Sequence, residues 1–243
     1  MRNHNIEYQD NSGRKYSYDF DSIVRQYLLR TLEPHFCSTG STLEMGCYRG
    51  DMTAQILEYL PQLTVMEASS ELANLVQQRF VDRVVVIVTT FEAAVPTEKY
   101  DNIFLVHTLE HVDDPVGILR KIAKWLTPGG RLFVAVPNAN ALSRQIAVKM
   151  GLVEFNAAVT PAEAQHGHRR TYSMDVLLSQ LCHAGLTVVD QGGILLKALA
   201  NFQFDQALAQ GIVDDAYLEG CNEVGKTYPD LCASLYAVCG VPD

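Results

Sequence analysis

Two glycines four positions apart, where an apolar segment meets a helical one, place the strongest constraint on the fold of this chain. Gly46 and Gly50 follow the apolar residues 41–45, and a helical pattern over residues 51–59 comes directly after them. Glycine is favoured where a backbone turns tightly or a ligand approaches it closely, and a helix N-terminus presents free N–H groups. The sequence therefore predicts a strand, a turn and a helix that suit a nucleotide-like ligand.

The spacing of these glycines distinguishes between classes of ligand. A dinucleotide-binding turn needs Gly-x-Gly-x-x-Gly and an acidic residue about 20 positions further on. Here Tyr48 lies between Gly46 and Gly50, and Glu67 follows Gly50 by seventeen residues. The pattern disfavours a nicotinamide-dependent oxidoreductase and leaves a plain turn without a ligand as an alternative.

Composition excludes several kinds of partner. With 243 residues, 48% of them hydrophobic, the chain suits one domain with a well-filled core. A formal net charge of −9 argues against nucleic acid, which requires a basic surface. No apolar run is long enough to span a membrane, and no basic-then-apolar leader is present, so a cytoplasmic protein is expected. Six cysteines without a Cys-x-x-Cys pair predict reduced thiols and no bound metal.

Five predicted strands alternate with helices along the first part of the chain. We expect them at residues 41–45, 63–67, 84–88, 100–106 and 131–136, with the third strand buried. Such alternation gives a parallel sheet joined by right-handed crossovers, and ligands bind outside the carboxyl ends of its strands. Four candidate ligand-binding residues fall at that edge: Gly46, Glu67, Thr90 and His107.

The C-terminal part predicts a hairpin with a helical insertion. A helix at residues 174–184 leads to a sixth strand at 186–190, and residues 234–239 alternate like a final strand. The intervening residues 194–231 are helical and amphipathic. Their apolar side chains either cover an apolar substrate or form a homodimer contact, because an exposed apolar helix face is buried somewhere: Leu195, Leu196, Leu199, Phe202 and Phe204.

The N-terminal region predicts a polar segment and then a helix at about residues 21–32. The helix either lies on the sheet or belongs to a flap in which Tyr16 and Tyr18 close over a ligand. Both interpretations remain open on the sequence.

Several motifs in order resemble the class I S-adenosylmethionine-dependent methyltransferases, particularly the small-molecule branch similar to ubiquinone-biosynthesis and sugar or natural-product methyltransferases. The resemblance covers residues 40–192 well. It is carried by Leu43-Glu44-Met45-Gly46 with Gly50, Glu67, Tyr100-Asp101-Asn102-Ile103, Leu109-Glu110-His111-Val112 and Leu126-Thr127-Pro128-Gly129-Gly130-Arg131-Leu132. One departure is Tyr48, where these enzymes usually carry a third glycine.

The resemblance implies S-adenosylmethionine as cofactor and S-adenosylhomocysteine as product. The methionine half of the cofactor would lie among Glu44, Gly46 and Gly50, with its methionyl group near His107. The ribose of the cofactor would lie at Glu67 and the adenine at Thr90 and Phe91. The full set of expected cofactor-binding residues is Glu44, Gly46, Cys47, Tyr48, Gly50, Glu67, Ala68, Thr90, Phe91 and His107.

Histidines are the candidate bases, because methyl transfer to a hydroxyl requires loss of a proton near pH 7. His168 is the preferred candidate, with His166 on the same loop, whereas His111 is expected to hold its loop in place. Arg169 and Arg170 form a pair suited to a carboxylate or phosphate of the substrate. The expected substrate-binding residues are Tyr16, Tyr18, Asn138, Arg169 and Arg170.

The predicted fold is a doubly wound, Rossmann-like α/β sheet of seven strands, mostly parallel with the last strand antiparallel. We expect one domain over residues 1–243: an N-terminal flap and helix (1–40), a cofactor-binding core (41–192), a helical lid (193–233) and a final strand (234–243). The expected activity is methyl transfer to oxygen, nitrogen or carbon of a small molecule, a sugar or secondary metabolite. The alternative, which Tyr48 keeps open, is a non-catalytic S-adenosylmethionine-binding module that acts as a sensor or partner subunit.

Overall fold

A single mixed sheet of seven strands organises the part of the chain that the computed structural model describes, residue 5 and residues 18–242. The strand order is β3-β2-β1-β4-β5-β7-β6, and only β7 runs antiparallel to its neighbours. The strands are β1 Thr42–Met45, β2 Leu63–Glu67, β3 Val84–Val88, β4 Tyr100–Val106, β5 Leu126–Pro137, β6 Thr187–Leu196 and β7 Cys232–Gly240. The predicted fold class is confirmed.

Helices cover both faces of the sheet. They are α1 Asp19–Leu32, α2 Asp51–Tyr59, α3 Ser70–Arg79, α4 Pro115–Trp125, α5 Leu142–Lys149, α6 Pro161–Gln165, α7 Met174–His183, α8 Asn201–Ala209 and α9 Asp215–Thr227. Side chains of α1, α2, α8 and α9 share one apolar core, and those of α4 and α7 share the other. Strand β5 contributes to both cores because successive side chains point to opposite faces: Phe133 and Ala135 enter the first, Leu132 and Val134 the second.

The helices begin where the sequence supplies N-terminal caps. The Ser69 hydroxyl accepts a hydrogen bond from the Leu72 N–H at the start of α3, and Asp114 does the same for Gly117 at the start of α4. Such caps satisfy N–H groups that have no partner within the helix.

The sequence predicted a buried third strand, but most of β3 is exposed or half-buried. Strand β3 lies at the edge of the sheet and pairs with β2 alone among the described strands, so Val85 and Val88 are 65% and 54% exposed. An apolar run of this length does not reveal whether its strand is central or peripheral, because strand order is decided by long-range pairing.

Two strands are longer than the sequence pattern predicts. Strand β5 begins at Leu126 rather than at residue 131, with a register shift opposite Tyr100 and Asn102. Strand β6 continues to Leu196, because it stays paired with β7 along this length. Residues 194–196 are therefore strand, not the helix that was expected.

Helices α8 and α9, here called the lid, connect β6 to β7 on the face of the sheet that carries α1. Phe204 of the lid is buried against Phe20 of α1, with the ring centroids 4.6 Å apart, whereas Phe202 is 53% exposed. Among the described helices, none combines the length and the apolar character needed to cross a bilayer.

Candidate active site

The glycine turn lies at the carboxyl end of β1 and leads into α2. Gly46 and Gly50 have positive φ angles of 82° and 84°. A Cβ atom at Gly46 would lie 3.0 Å from the Thr108 hydroxyl, and one at Gly50 would lie 2.7 Å from the Phe80 ring. Both the backbone conformation and the surroundings therefore require glycine. Tyr48 between them also has a positive φ, of 48°, an uncommon conformation for a residue with a side chain.

The Glu67 carboxylate joins the end of β2 to this turn. It accepts hydrogen bonds from the backbone N–H groups of Cys47 at 3.2 Å, Tyr48 at 3.3 Å and Ser69 at 2.9 Å. Ala68 follows it, half-buried, at the same edge of the sheet. Glu67 thus lies where the ribose of a nucleoside is expected, and its ribose role stays a prediction.

Glu44, in the middle of β1, is a buried carboxyl group. Its Oε2 accepts a 2.6 Å hydrogen bond from the Thr53 hydroxyl, and its Oε1 has no partner among the described residues. Burial raises its pKa to about 8. Glu44 is therefore mostly protonated at neutral pH and keeps one oxygen available to a ligand.

Arg25 of α1 is a further candidate site residue, which the sequence alone did not reveal. Its Nη1 is buried without a hydrogen-bond partner in the described part of the chain. Its positive charge acts on the pKa values of both Glu44 and His107, so it lies close to both. The sequence pattern that could have identified it is an arginine next to Val24, within the apolar face of a helix.

His107 directly follows β4 and has a positive φ of 48°. Its Nε2 lies 2.9 Å from the Ser234 hydroxyl of β7. Burial, with the neighbouring charges of Arg25 and His168, lowers its pKa to about 3. His107 is therefore neutral at physiological pH, between the N-terminal helix and the loop of His168.

The expected adenine contacts lie beside the glycine turn. The Phe91 ring lies 3.6 Å from the position of a Cβ atom at Gly46. The Thr90 hydroxyl accepts a hydrogen bond from the Ala93 N–H at 3.2 Å. A ring against the turn has the position required to pack on a purine, and the adenine role of both residues stays a prediction.

His111 and His168 come together although 57 residues separate them. Their ring centroids lie 4.7 Å apart in an edge-to-face arrangement, and burial lowers the pKa of His168. Glu110 beside them is buried, its Oε2 has no partner among the described residues, and burial raises its pKa to about 8. One ligand atom from each of the three lies within 4.8 Å of the other two, a set that could hold a divalent cation. That no metal binds stays a prediction.

The loop that carries His166 and His168 is tied to the loop after β4. The Arg169 N–H donates to the Glu110 carbonyl at 2.9 Å, and its guanidinium forms a 2.8 Å ion pair with Asp113. Arg170 donates to the Asp113 carbonyl at 3.2 Å. Both arginines thus hold His168 near His111, and their contact with a substrate stays a prediction.

The remaining predicted substrate residues lie in different surroundings. The Asn138 amide donates to the carbonyls of Asp230 and Cys232, both at 2.8 Å, which anchors the chain before β7. Tyr18 precedes the first residue of α1. Tyr16 lies outside the described residues. Substrate binding by these three residues stays a prediction.

The arrangement fits a nucleoside ligand with an amino-acid tail. A glycine turn allows close approach, and Glu67 and Phe91 flank it. The half-buried Arg25 and the buried Glu44 carboxyl group suit a carboxylate and an ammonium group. On a sheet of order 3-2-1-4-5-7-6, this combination defines a class I S-adenosylmethionine-dependent methyltransferase.

Comparison with known proteins agrees with that class. The methyltransferase domain family matches residues 16–191, and the chain belongs to this family. It is 28% identical over 181 residues to the ubiquinone biosynthesis O-methyltransferase of Xanthomonas axonopodis pv. citri, which spans 72% of this chain and 73% of that protein. The corresponding protein of Aeromonas salmonicida is 27% identical over 164 residues, 65% of this chain and 68% of that protein.

Solved structures share the fold. NodS, an N-methyltransferase from Bradyrhizobium japonicum WM9 in complex with S-adenosylhomocysteine, has a TM-score of 0.60 and 16% identity over 98% of this chain and 99% of its own. The plantazolicin methyltransferase BpumL, also with S-adenosylhomocysteine, has a TM-score of 0.61 and 15% identity over 98% and 90%. The chain is an S-adenosylmethionine-dependent methyltransferase, and neither an oxidoreductase nor a non-catalytic module is favoured.

Proposed function

We propose that this methyltransferase acts on a hydroxyl group of a small molecule, with His168 as the general base. The observation that carries the proposal is the pair of His168 and His111 at the carboxyl edge of the sheet, with the buried Glu110 beside it. Similarity to ubiquinone biosynthesis O-methyltransferases supports an oxygen acceptor among the oxygen, nitrogen and carbon acceptors that the sequence leaves open.

The cofactor would be held from three sides. Arg25 would bind its carboxylate, Glu44 its ammonium group, and Glu67 its ribose hydroxyls. Bound S-adenosylmethionine supplies a methyl group on a positively charged sulfur. The Arg25 Nη1 and Glu44 Oε1 atoms are buried and have no hydrogen-bond partner among the described residues, so no internal hydrogen bond has to break at these atoms when the amino-acid tail binds.

His168 would accept the hydroxyl proton of the acceptor at one ring nitrogen while the oxygen gains the methyl group. Burial lowers its pKa, so the ring is neutral and able to accept a proton near pH 7. The negative charge of Glu163 raises the same pKa and thus stabilises the imidazolium that forms. Glu163 is held by Arg144 through a 2.7 Å ion pair, which helps to keep its pKa low and its charge in place.

The acceptor we propose is a phenol-type or sugar hydroxyl of a small metabolite. Substrate contacts would come from Tyr16, Tyr18, Asn138, Arg169 and Arg170. A homodimer through residues 194–231, a cytoplasmic location and the single-domain division of residues 1–243 also stay predictions.

Product analysis tests the proposal. The purified protein is incubated with S-adenosylmethionine and matched phenols, catechols, sugars and primary amines, and S-adenosylhomocysteine and the methylated product are identified by mass spectrometry. We expect methyl ethers from at least one hydroxyl compound. Methylation of the amines alone would contradict the hydroxyl assignment.

Two histidine variants test the base. His168→Gln is expected to lower turnover by about 10²- to 10⁴-fold with little change in S-adenosylhomocysteine affinity. His183→Gln, on the exposed end of α7, is the matched control and is expected to retain the rate. Equal rates for the two variants would show that His168 is not the base.

A further inference from the structure

The first turn of α1 is held by the lid. The backbone N–H groups of Asp19 and Phe20 donate to the Asp205 carboxylate of α8 at 3.2 and 3.0 Å. The second of these hydrogen bonds joins residues 185 positions apart in the sequence. Because the first N–H groups of a helix have no partner within it, Asp205 satisfies two of them from another element.

Three further contacts join the same turn to the lid region. The Asn201 amide donates to Asp21 at 2.8 Å, and the rings of Phe20 and Phe204 lie 4.6 Å apart. The Lys197 ammonium lies 4.9 Å from the centre of the Phe20 ring, and burial lowers its pKa to about 8. Asp205, Phe20 and Phe204 are all at least nine-tenths buried, so this is an interior contact.

Arg25 lies on the same helix, within two turns of the anchored residues. A helix is stiff over this length, so the position of its first turn sets the position of Arg25. Arg25 is half-buried, with its Nη1 atom buried, and its charge acts on Glu44 and His107. The contacts of Asp205 are therefore connected, through one short helix segment, to the group that faces the expected cofactor tail.

We propose that Asp205 is a positioning residue for cofactor binding: it holds α1 so that Arg25 is correctly placed to bind the carboxylate of the cofactor. This inference rests on the role proposed above for Arg25. Since the anchor belongs to the lid, any displacement of α8 weakens cofactor binding. Binding free energies are coupled reciprocally, so a bound cofactor stabilises the lid in this position.

The test compares two ligands that differ only in their tail region. S-adenosylhomocysteine carries the amino-acid carboxylate, whereas 5′-methylthioadenosine lacks it. Both are titrated calorimetrically into the full chain as wild type, Asp205→Asn, Arg25→Gln and the double variant. Asp214→Asn is the matched control, because Asp214 caps α9 of the same lid through the Tyr217 N–H without a contact to α1 among the described hydrogen bonds.

Asp205→Asn is expected to weaken S-adenosylhomocysteine binding by about three- to tenfold, since the amide can accept at only one atom and loses the charge. Binding of 5′-methylthioadenosine is expected to be unchanged, and so are both affinities of the Asp214→Asn control. In the Arg25→Gln background, Asp205→Asn is expected to add nothing, because both changes act on the same contact.

The inference would be overturned if Asp205→Asn weakened the binding of both ligands equally, or if the effects of the two substitutions on S-adenosylhomocysteine affinity were fully additive in the double variant. Asp205→Asn would then loosen the structure generally rather than act through Arg25. If Arg25→Gln weakens S-adenosylhomocysteine binding but Asp205→Asn does not, the positioning role fails and the proposed role of Arg25 stands. If Arg25→Gln has no effect, both fail. Asn201→Ala, which removes the Asp21 contact alone, replaces Asp205→Asn if the latter does not fold, with the same ligand selectivity expected.

Discussion

Replacement of Glu44 by glutamine tests whether this buried carboxyl group of the cofactor site destabilises the fold of the ligand-free protein at neutral pH. Burial raises the pKa of Glu44 from 4.5 to about 8, so the folded state keeps a proton that the unfolded chain releases above pH 4.5. This group therefore stabilises the fold fully only below the unfolded pKa, and its contribution is lost as the pH rises towards the folded pKa. Glu44→Gln has nearly the same shape and removes this titration.

The structure sets the size of the effect. Each pH unit between the two pKa values costs about 1.4 kcal/mol of folding stability, so roughly 3 kcal/mol is lost between pH 5 and pH 7. The free energy of unfolding of Glu44→Gln, relative to that of the wild type, is expected to increase by about this amount over the same interval. Any pH-independent cost of burying the glutamine amide shifts the free energy of unfolding equally at pH 5 and pH 7, so the pH dependence of the difference from the wild type does not change.

Urea unfolding at pH 5, 6, 7 and 8, followed by circular dichroism, measures this difference. Glu58→Gln is the matched control, because it makes the same change of charge at an exposed position of α2, and its difference from the wild type is expected to stay flat. Binding of S-adenosylhomocysteine by Glu44→Gln should be weaker, because the partner proposed for the ammonium group can no longer ionise. A flat or falling difference for Glu44→Gln would refute the reasoning.

Three further predictions follow from the turn, the base and the thiols. Gly50→Ala is expected to destabilise the fold by about 2–5 kcal/mol, whereas Gly151→Ala, with a similar φ but nothing within 4 Å, costs about 1–2 kcal/mol, as urea unfolding will show. Burial lowers the pKa of His168, so turnover is expected to fall only at pH values below the range in which an exposed histidine becomes protonated, and a rate that rises at acid pH would contradict its role as base. Cys37 and Cys182, both exposed, are expected to react first with a maleimide in mass-spectrometric labelling, and early modification of the buried thiols would contradict the packing.

Much of the local structure was predictable, because it is determined by neighbours in the sequence. The boundaries of α2, β2, β3 and β4 agree with the sequence pattern residue by residue. Each of these elements is a short periodic or apolar run that ends at a turn residue or a cap. The glycine turn was predictable for the same reason, since the conformation and the crowding at Gly46 and Gly50 leave room for no other residue.

The composition of the site was less predictable, because it depends on residues brought together from distant parts of the chain. The edge position of β3, the approach of His111 to His168 and the place of Arg25 beside Glu44 each depend on how strands are ordered and helices docked. The raised pKa values of Glu44 and Glu110 come from burial, which a sequence pattern does not quantify.

The sequence by itself therefore determined the class of fold, the cofactor and the edge of the sheet where the cofactor is expected to bind. Only the tertiary structure decided which charged groups face that edge and what holds them there. The physical reason is that propensity and periodicity act over a few residues, whereas a contact such as that between Phe20 and Asp205 spans 185 positions and depends on how α1 and α8 pack together.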